Sequence, residues 1–186
     1  MRADALILAL SCVLLTSCTR TPPLPVYGQV PDFTLTAETG QPLTRGALDG
    51  KVWVADFIFT SCSGPCPRMS SLMKQVQQAS AGLPDVRMVS FTVDPDRDTP
   101  PVLTAYARRY NAQPGRWYFL TGQRESLHHL AREAFKLNNV DGSMDHSTRL
   151  VLLDRHSRIR GYYGTEEDNP VIRLLVDIKR LLREKA

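Results

Sequence analysis

The chain has 186 residues, a formal net charge of +4 and four cysteines, and this length suits one domain with a full hydrophobic core. Its basic residues are scattered along the sequence rather than gathered in a patch or a run. Composition therefore argues against nucleic-acid binding, which depends on clustered positive charge.

The first residues have the pattern of a secretory signal. A short apolar run at residues 5–15 follows Met1 and Arg2 and is too short to span a bilayer. Leu15-Thr16-Ser17-Cys18 then resembles a bacterial lipobox, which implies cleavage before Cys18 and acylation of its thiol and amine. We expect residues 1–17 to be a lipoprotein signal peptide. An ordinary signal peptide or an uncleaved anchor is the alternative.

Residues 18–28 are rich in proline and lack apolar periodicity, so they are predicted to be a lipid-anchored tether ahead of a domain at 29–186. The protein is then expected on the periplasmic or another extracytoplasmic face of a membrane, where disulfides are allowed. Which membrane holds the anchor is left open. Because Cys12 leaves with the signal and Cys18 is acylated, Cys62 and Cys66 are the one possible intrachain pair.

Apolar periodicity and turn residues predict the elements of the domain in chain order. Residues 31–40 alternate apolar and polar side chains and end at Gly40, as a hairpin strand does. Residues 52–59 are almost wholly apolar or β-branched, as in a strand buried on both faces. Further strands are predicted at 86–93, 117–120, 148–154 and 159–163, and helices at about 66–81, 102–110, 127–135 and 170–184.

Strands alternating with helices, followed by a hairpin and a closing helix, predict an α/β domain with a mixed sheet. The cysteine pair follows a core strand and opens a helix, which matches the thioredoxin plan. We therefore expect a thioredoxin-like fold, with a mixed central sheet flanked by helices and an N-terminal hairpin extension.

The two cysteines are the main candidates for chemistry. Ser63-Gly64-Pro65 is turn-forming, so Cys62 is expected in a loop and Cys66 at a helix N-terminus, where the helix dipole favours a thiolate. A disulfide between them would close a very small loop and add little stability. The spacing C-x-x-x-C therefore indicates function, either redox exchange or binding of a thiophilic metal.

His146 is the best candidate for a third ligand, since two thiolates alone make a poor metal site. It precedes the strand predicted at 148–154, where thioredoxin-like folds usually present a cis-proline across from the thiol loop. Two sulfurs and one imidazole suit trigonal Cu(I), and a further oxygen ligand would complete a Cu(II) site. The alternative is a surface histidine bonded to Asp145.

Several segments together resemble the Sco/SenC family of copper-binding thioredoxin-like proteins. They run in family order over nearly the whole mature chain, and the joint occurrence of C-x-x-x-C-P with a late D-H-S is their most specific feature. The segments are Pro31-Asp-Phe33, Phe59-Thr-Ser-Cys-Ser-Gly-Pro-Cys-Pro67, Ser90-Phe-Thr-Val-Asp-Pro-Asp-Arg-Asp-Thr-Pro100, Leu120-Thr-Gly122 and Asp145-His-Ser-Thr-Arg149.

The resemblance implies that Cys62, Cys66 and His146 bind one copper ion. It also places Asp94 near the site, where it would tune the copper or hydrogen-bond a ligand. The alternative for Asp94 is a turn-forming residue before Pro95. The implied function is a metallochaperone that delivers copper to the dinuclear centre of cytochrome c oxidase subunit II, or to another periplasmic copper protein.

Two enzymatic functions remain as alternatives. A thiol–disulfide oxidoreductase that reduces the subunit II cysteines would use the same pair without His146, and either function requires a thiol–disulfide reductant to restore the dithiol. A peroxiredoxin-like peroxidase would share Pro31-Asp-Phe33 and Cys66-Pro67. That family, however, has proline and threonine where this chain has Phe59 and Ser63.

Two other features near the thiols have more ordinary interpretations. Met69 and Met73 lie one helical turn apart beside the cysteines, and this spacing is typical of core packing rather than of a copper relay. Asp56 falls within the predicted buried strand. We expect it either to be satisfied by backbone groups or to show that the strand is wrongly assigned.

Overall fold

The computed structural model describes residues 22–137 and 148–184. Within these ranges, no helix is long and apolar enough to cross a membrane. The strands are β1 (Gly28–Gln29), β2 (Thr34–Ala37), β3 (Pro42–Thr44), β4 (Val52–Ile58), β5 (Val86–Thr92), β6 (Trp117–Thr121), β7 (Arg149–Leu153) and β8 (Arg158–Gly164). The helices are α1 (Pro65–Ala79), α2 (Pro100–Arg109), α3 (Arg124–His129) and α4 (Pro170–Arg183).

The strands form one mixed sheet in the order β1-β8-β7-β4-β5-β6-β2-β3. Strands β4, β5 and β6 are parallel to one another, as expected where helices connect them. The other pairings are antiparallel, and the β2–β3 hairpin extends the sheet beyond β6. The predicted α/β architecture with a mixed sheet and an N-terminal hairpin is therefore confirmed.

Strand β4 is buried over its whole length because each of its faces contributes to a different hydrophobic cluster. One cluster lies beneath α1, α2 and α4, and the other lies beneath α3 and the β2–β3 hairpin. Alternate side chains of the strand point to opposite faces, so a continuous apolar run fills both clusters. Val52, Val54 and Ile58 enter the first cluster, and Trp53, Ala55 and Phe57 enter the second.

The helix predicted at 127–135 differs most from its expected form. Its α-helical part begins at Arg124, and its last turn, Leu130–Ala134, is a π-helix. The Phe135 amide donates to the carbonyl of Leu130 five residues earlier, at 2.9 Å. Phe135 is fully buried and its ring packs against those of Trp53 and Phe57. We infer that the wider turn is held by this packing, which local periodicity does not predict.

Candidate metal and redox site

The thiol loop, residues 59–64, lies between the end of β4 and the start of α1. Cys62 is half-buried in the loop, and its amide donates to the carbonyl of Phe59 at 3.2 Å. Cys66 is the second residue of α1 and is fully buried. Pro65 and Pro67 occupy the first turn, where an amide proton has no partner in the helix. Both cysteines therefore lie in the elements predicted for them.

The two cysteines are not joined by a disulfide, and their side chains are hydrogen-bonded to each other. Burial raises the pKa of Cys66 to about 12, and a hydrogen bond with the Cys62 side chain raises it as well. These effects outweigh a hydrogen bond from the backbone of Phe59, which lowers the pKa. The expectation that the helix N-terminus makes Cys66 a thiolate is therefore wrong for the metal-free protein. Metal binding must displace its proton.

Asp98 ties the thiol loop to the adjacent strand. Its carboxylate is fully buried and accepts hydrogen bonds from the amide and the hydroxyl of Thr60, at 3.1 and 2.5 Å. The same carboxylate accepts the hydroxyl of Thr92 at 2.5 Å. Strands β4 and β5 are parallel and Ile58 pairs with Thr92, so both strands end at this point. Asp98 thereby fixes the residue two positions before Cys62.

Asp94 lies in the same loop as Asp98, at the carboxyl end of β5. Its carbonyl accepts the amide of Asp98 at 2.9 Å, and its own amide donates to the Thr92 hydroxyl at 3.0 Å. Its largely buried carboxylate forms long ion pairs with Arg97 and Arg124, at 3.7 and 3.9 Å. Asp94 therefore belongs to the loop attached to the thiol loop. A direct influence on a bound metal stays a prediction.

Asp56 departs from both expectations. It lies within β4, so the strand assignment is right, and it is fully buried. Among the described residues, neither of its carboxyl oxygens has a hydrogen-bond partner. Burial raises its pKa to about 7, and the polar groups nearest to it, the Ser90 hydroxyl on the paired strand and its own backbone, offset only part of that rise. A carboxyl group that keeps its proton up to about pH 7 therefore lies beneath the helix that bears Cys66.

Two predicted site residues, His146 and Cys18, lie outside the described residues. Within the described ranges, no group of three or more His, Cys, Asp or Glu side chains is close enough to hold a metal ion. The described part of the site therefore provides two sulfur ligands. Two adjacent thiols can form a disulfide or, with a further ligand, bind a soft metal ion.

Sequence reasoning missed Asp98 as a site residue, although it recognised the polar loop at 94–100. The available signal was topological. Thr60 comes two residues after β4, Thr92 is the last residue of β5, and a helix joins these two consecutive strands. Such strands pair in parallel, so their carboxyl ends meet. A buried acceptor between two threonines at that edge was a reasonable expectation.

Comparisons with known proteins agree with this geometry. The family model for SCO1/SenC matches residues 26–183. A protein of Stutzerimonas stutzeri named as a putative copper-binding protein is 31% identical over 180 residues, covering 87% of this chain and 86% of that protein.

Solved structures show the same fold. The crystal structure of a SCO1/SenC family lipoprotein from Bacillus anthracis str. Ames is 31% identical, with a TM-score of 0.76 over 84% of this chain and 96% of that chain. BsSco, a member of the Sco family of cytochrome c oxidase assembly proteins with a disulfide switch, is 28% identical. Its TM-score is 0.77 over 88% of this chain and 100% of that chain. The predicted thioredoxin-like fold is confirmed.

Proposed function

Because the chain belongs to the SCO1/SenC family, we propose that it is a copper-binding metallochaperone whose ligands are Cys62, Cys66 and His146. The observation that carries the proposal is the pair of adjacent thiols at the carboxyl end of β4. Sulfur ligands favour Cu(I), and the name of the Stutzerimonas stutzeri relative supports copper as the metal.

The pairing of β7 with β4 supports His146 as the third ligand. These strands are antiparallel, with Ala55 opposite Val151 and Trp53 opposite Leu153. The start of β7 therefore lies beside the end of β4, where the thiol loop begins. His146 precedes Arg149, the first residue of β7, by three positions. An imidazole from that side would complete a trigonal site for one ion, and a further oxygen ligand would suit Cu(II).

We infer that copper is delivered to the dinuclear centre of cytochrome c oxidase subunit II, or to another periplasmic copper protein. The role of the Sco family in oxidase assembly supports this class of partner. Cys62 is half-buried at the surface, whereas Cys66 is fully buried. A docked partner's thiolate would therefore displace Cys62 first and Cys66 last, and each ligand exchange keeps the ion coordinated.

A thiol–disulfide oxidoreductase is the second candidate, favoured by the hydrogen bond between the two cysteine side chains. In this reaction the dithiol passes two electrons and two protons to a disulfide of the partner, which becomes a dithiol. Cys62 and Cys66 become a disulfide, and an external dithiol reductant restores them by the same exchange. Attack by Cys62 is favoured by its exposure.

We also propose that residues 1–17 are a lipoprotein signal and that Cys18 carries the lipid on the periplasmic or extracytoplasmic side. The related Bacillus anthracis lipoprotein supports this anchor. Residues 18–28 would then connect the lipid to the domain at 29–186.

Titration of the reduced full chain with Cu(I) and Cu(II), followed by absorption, tests the copper site. We expect one equivalent to bind, with thiolate-to-Cu(II) charge-transfer bands. Cys62→Ser, Cys66→Ser and His146→Ala should each weaken binding by about tenfold or more. His156→Ala removes an exposed histidine of the β7–β8 turn and is the matched control, expected to bind as wild type. Unchanged binding by His146→Ala would contradict the assigned third ligand.

A second comparison separates the two functions. His146→Ala should lose copper transfer to a subunit II fragment while it still reduces a disulfide of that fragment. If the wild type reduces the disulfide but binds no copper, the chain is a reductase and the chaperone proposal is wrong.

A further inference from the structure

Residues 22–27 of the predicted tether are bound to the domain by two arginines. Arg160 of β8 is almost fully buried and donates to the carbonyls of Leu24 and Pro25, at 2.7 and 3.0 Å. Its charge is balanced by Asp154 and Glu184, at 2.8 and 2.9 Å. Such a paired, buried guanidinium holds the chain in place better than a surface ion pair would.

The attachment continues on both sides of this arginine. Arg180 of α4 donates to the carbonyl of Pro22 at 2.7 Å. At the other end, the amide of Tyr27 donates to the carbonyl of Ile159 at 2.9 Å, and its ring contacts that of Tyr162. The chain is therefore fixed against α4 and β8 as far back as Pro22.

This attachment limits the distance between the domain and a lipid on Cys18. Pro22 lies four positions after Cys18, and a fully extended chain over four residue steps spans at most about 14 Å. The membrane surface must therefore lie close to the point where Pro22 contacts Arg180. The part of the domain near α4 is the part that the anchor brings to the lipid.

The outer face of α4 is itself aliphatic and cationic, and of the exposed acids just before the helix, Glu166 and Glu167 pair with Arg68 and Arg173. Every exposed residue of this helix is aliphatic or cationic, and the exposed fractions of Ile172 and Val176 reach 61% and 55%. Asp177, the one acidic residue within α4, is half-buried and pairs with Arg180 at 2.8 Å. The outer face consists of Ile172, Arg173, Val176, Lys179 and Arg183.

We propose that the outer face of α4 lies on an anionic lipid surface, with Ile172 and Val176 at the level of the headgroups. Basic side chains at such a surface are attracted to anionic lipid and extend their charged ends towards water while their stems cover apolar surface. Interfacial helices combine aliphatic and cationic residues in this way. The inference rests on the proposed lipid anchor and is independent of copper binding.

The orientation has a consequence for the thiol loop. Arg68, two residues after Cys66, donates to the carbonyl of Thr165 at 2.7 Å, five residues before α4 begins. The first turn of α1 is thus tied to the segment that leads into α4. With α4 on the lipid, this tie sets the height of the thiol loop above the membrane.

The test uses a tryptophan reporter on the full lipidated chain, reconstituted in vesicles that contain brominated phosphatidylcholine and phosphatidylglycerol. Val176→Trp reports on the outer face, and Val102→Trp on α2 is the matched control because Val102 is also an exposed helical valine. The native Trp53 and Trp117 are buried in both variants. We expect bromine to quench the Val176→Trp emission at least about twofold more strongly than that of Val102→Trp.

Charge reversal tests whether anionic lipid is what covers the outer face of α4. Lys179→Glu with Arg183→Glu, placed in the Val176→Trp chain, should reduce the quenching, as should replacing phosphatidylglycerol with zwitterionic lipid. Arg108→Glu with Arg109→Glu makes the same charge change at the exposed end of α2 and should not reduce it.

Three results would overturn the proposal. The first is equal quenching of the two reporters. The second is a blue shift of Val176→Trp that grows with the protein-to-lipid ratio but shows no bromine quenching, since a second copy would then cover the face. The third is failure of the chain to float with vesicles, which would also contradict the proposed lipid anchor. Copper titration of the same preparations tests the proposed function separately.

Discussion

Asp56 places a carboxyl group without a described hydrogen-bond partner in the middle of a buried strand. Burial raises its pKa from 3.8 to about 7. Between these two values the unfolded chain has lost the proton that the folded chain keeps, so folding stability falls as pH rises through this window. The group lowers stability at neutral pH and has no such effect below pH 4.

We therefore predict that Asp56→Asn raises the free energy of unfolding of the metal-free protein at pH 8. A pKa shift of this size corresponds to a change on the order of 4 kcal/mol. The gain should shrink towards zero as pH falls to about 4. Urea unfolding of the wild type and of Asp56→Asn between about pH 4 and pH 8 provides the measurement. A gain that does not depend on pH would contradict the assigned pKa.

Asp154 supplies a control of opposite sign. Burial acts to raise the pKa of Asp154, but hydrogen bonds from Arg160, Arg158 and His156 outweigh burial and hold this pKa below its usual value. Its stabilising effect is therefore present at neutral pH and is lost as pH falls through the folded-state pKa. Asp154→Asn should destabilise the protein at pH 7, and this deficit should decrease in acid.

Asp98 is predicted to set the geometry of the thiol loop. Asp98→Ala removes the acceptor of two donors on Thr60 and one on Thr92, which should cost about 3 kcal/mol of unfolding free energy and weaken copper binding. Asp98→Asn keeps one oxygen acceptor and should lose less of both. The measurements are urea unfolding and the copper titration described above.

The matched control for Asp98 is Asp96 in the same loop. The Asp96 carboxylate is exposed and contacts Arg124 at 2.5 Å. Because surface ion pairs contribute little, Asp96→Ala should change unfolding free energy by less than about 1 kcal/mol and leave copper binding unaltered. Equal effects of the two alanine variants would show that Asp98 has no specific role.

At the scale of elements, the N-terminus of α1 shows how two known effects compete. A helix N-terminus stabilises a nearby anion by about 0.3–1 kcal/mol. The pKa of Cys66 is instead raised from 9.0 to about 12, mainly by burial and further by its hydrogen bond with Cys62. Desolvation therefore outweighs the helix dipole. Cys66 stays a neutral thiol until metal binding or oxidation removes its proton.

The same helix contributes its methionines to the core, as predicted. Met69 and Met73 are fully buried in the cluster beneath α1, α2 and α4. Met73→Ala should therefore lower the free energy of unfolding by about 2–5 kcal/mol, and Met73→Leu by less than about 1.5 kcal/mol. Denaturant unfolding measures this, and copper stoichiometry should stay unchanged in Met73→Leu. A lost copper equivalent in that variant would instead favour a metal relay.

At the scale of the whole molecule, Arg160 connects the sheet, the C-terminal end of α4 and the N-terminal segment. Arg160→Ala leaves the buried Asp154 without this partner and releases the carbonyls of Leu24 and Pro25. We expect a loss of about 3–5 kcal/mol of unfolding free energy. Limited proteolysis should also cut near residues 22–27 sooner than in wild type.

Arg173 is the control for that substitution. It is an exposed arginine of α4 that pairs with the exposed Glu167. Arg173→Ala should change the free energy of unfolding by less than about 1 kcal/mol and leave the proteolysis pattern as in wild type. If Arg160→Ala behaved in the same way, the N-terminal segment would not be held by Arg160.

Local sequence patterns were enough to predict the order of elements, the α/β class and the position of the cysteine pair where β4 leads into α1. These features follow from local signals: an unbroken apolar run for β4, turn residues for the thiol loop, and a helical apolar stripe for α4. The spacing of the motifs also indicated the Sco/SenC family, because motif order is a property of the chain alone.

The protonation of Cys66 and Asp56, the hydrogen bonds of Asp98 with Thr60, and the attachment of residues 22–27 to β8 and α4 could be read only from the folded structure. Each depends on burial or on contacts between segments that are distant in the chain, such as Arg160 with Leu24. Desolvation is set by everything packed around a group and not by its neighbours in sequence. For this reason the local pattern placed both thiols correctly but predicted the charge of Cys66 wrongly.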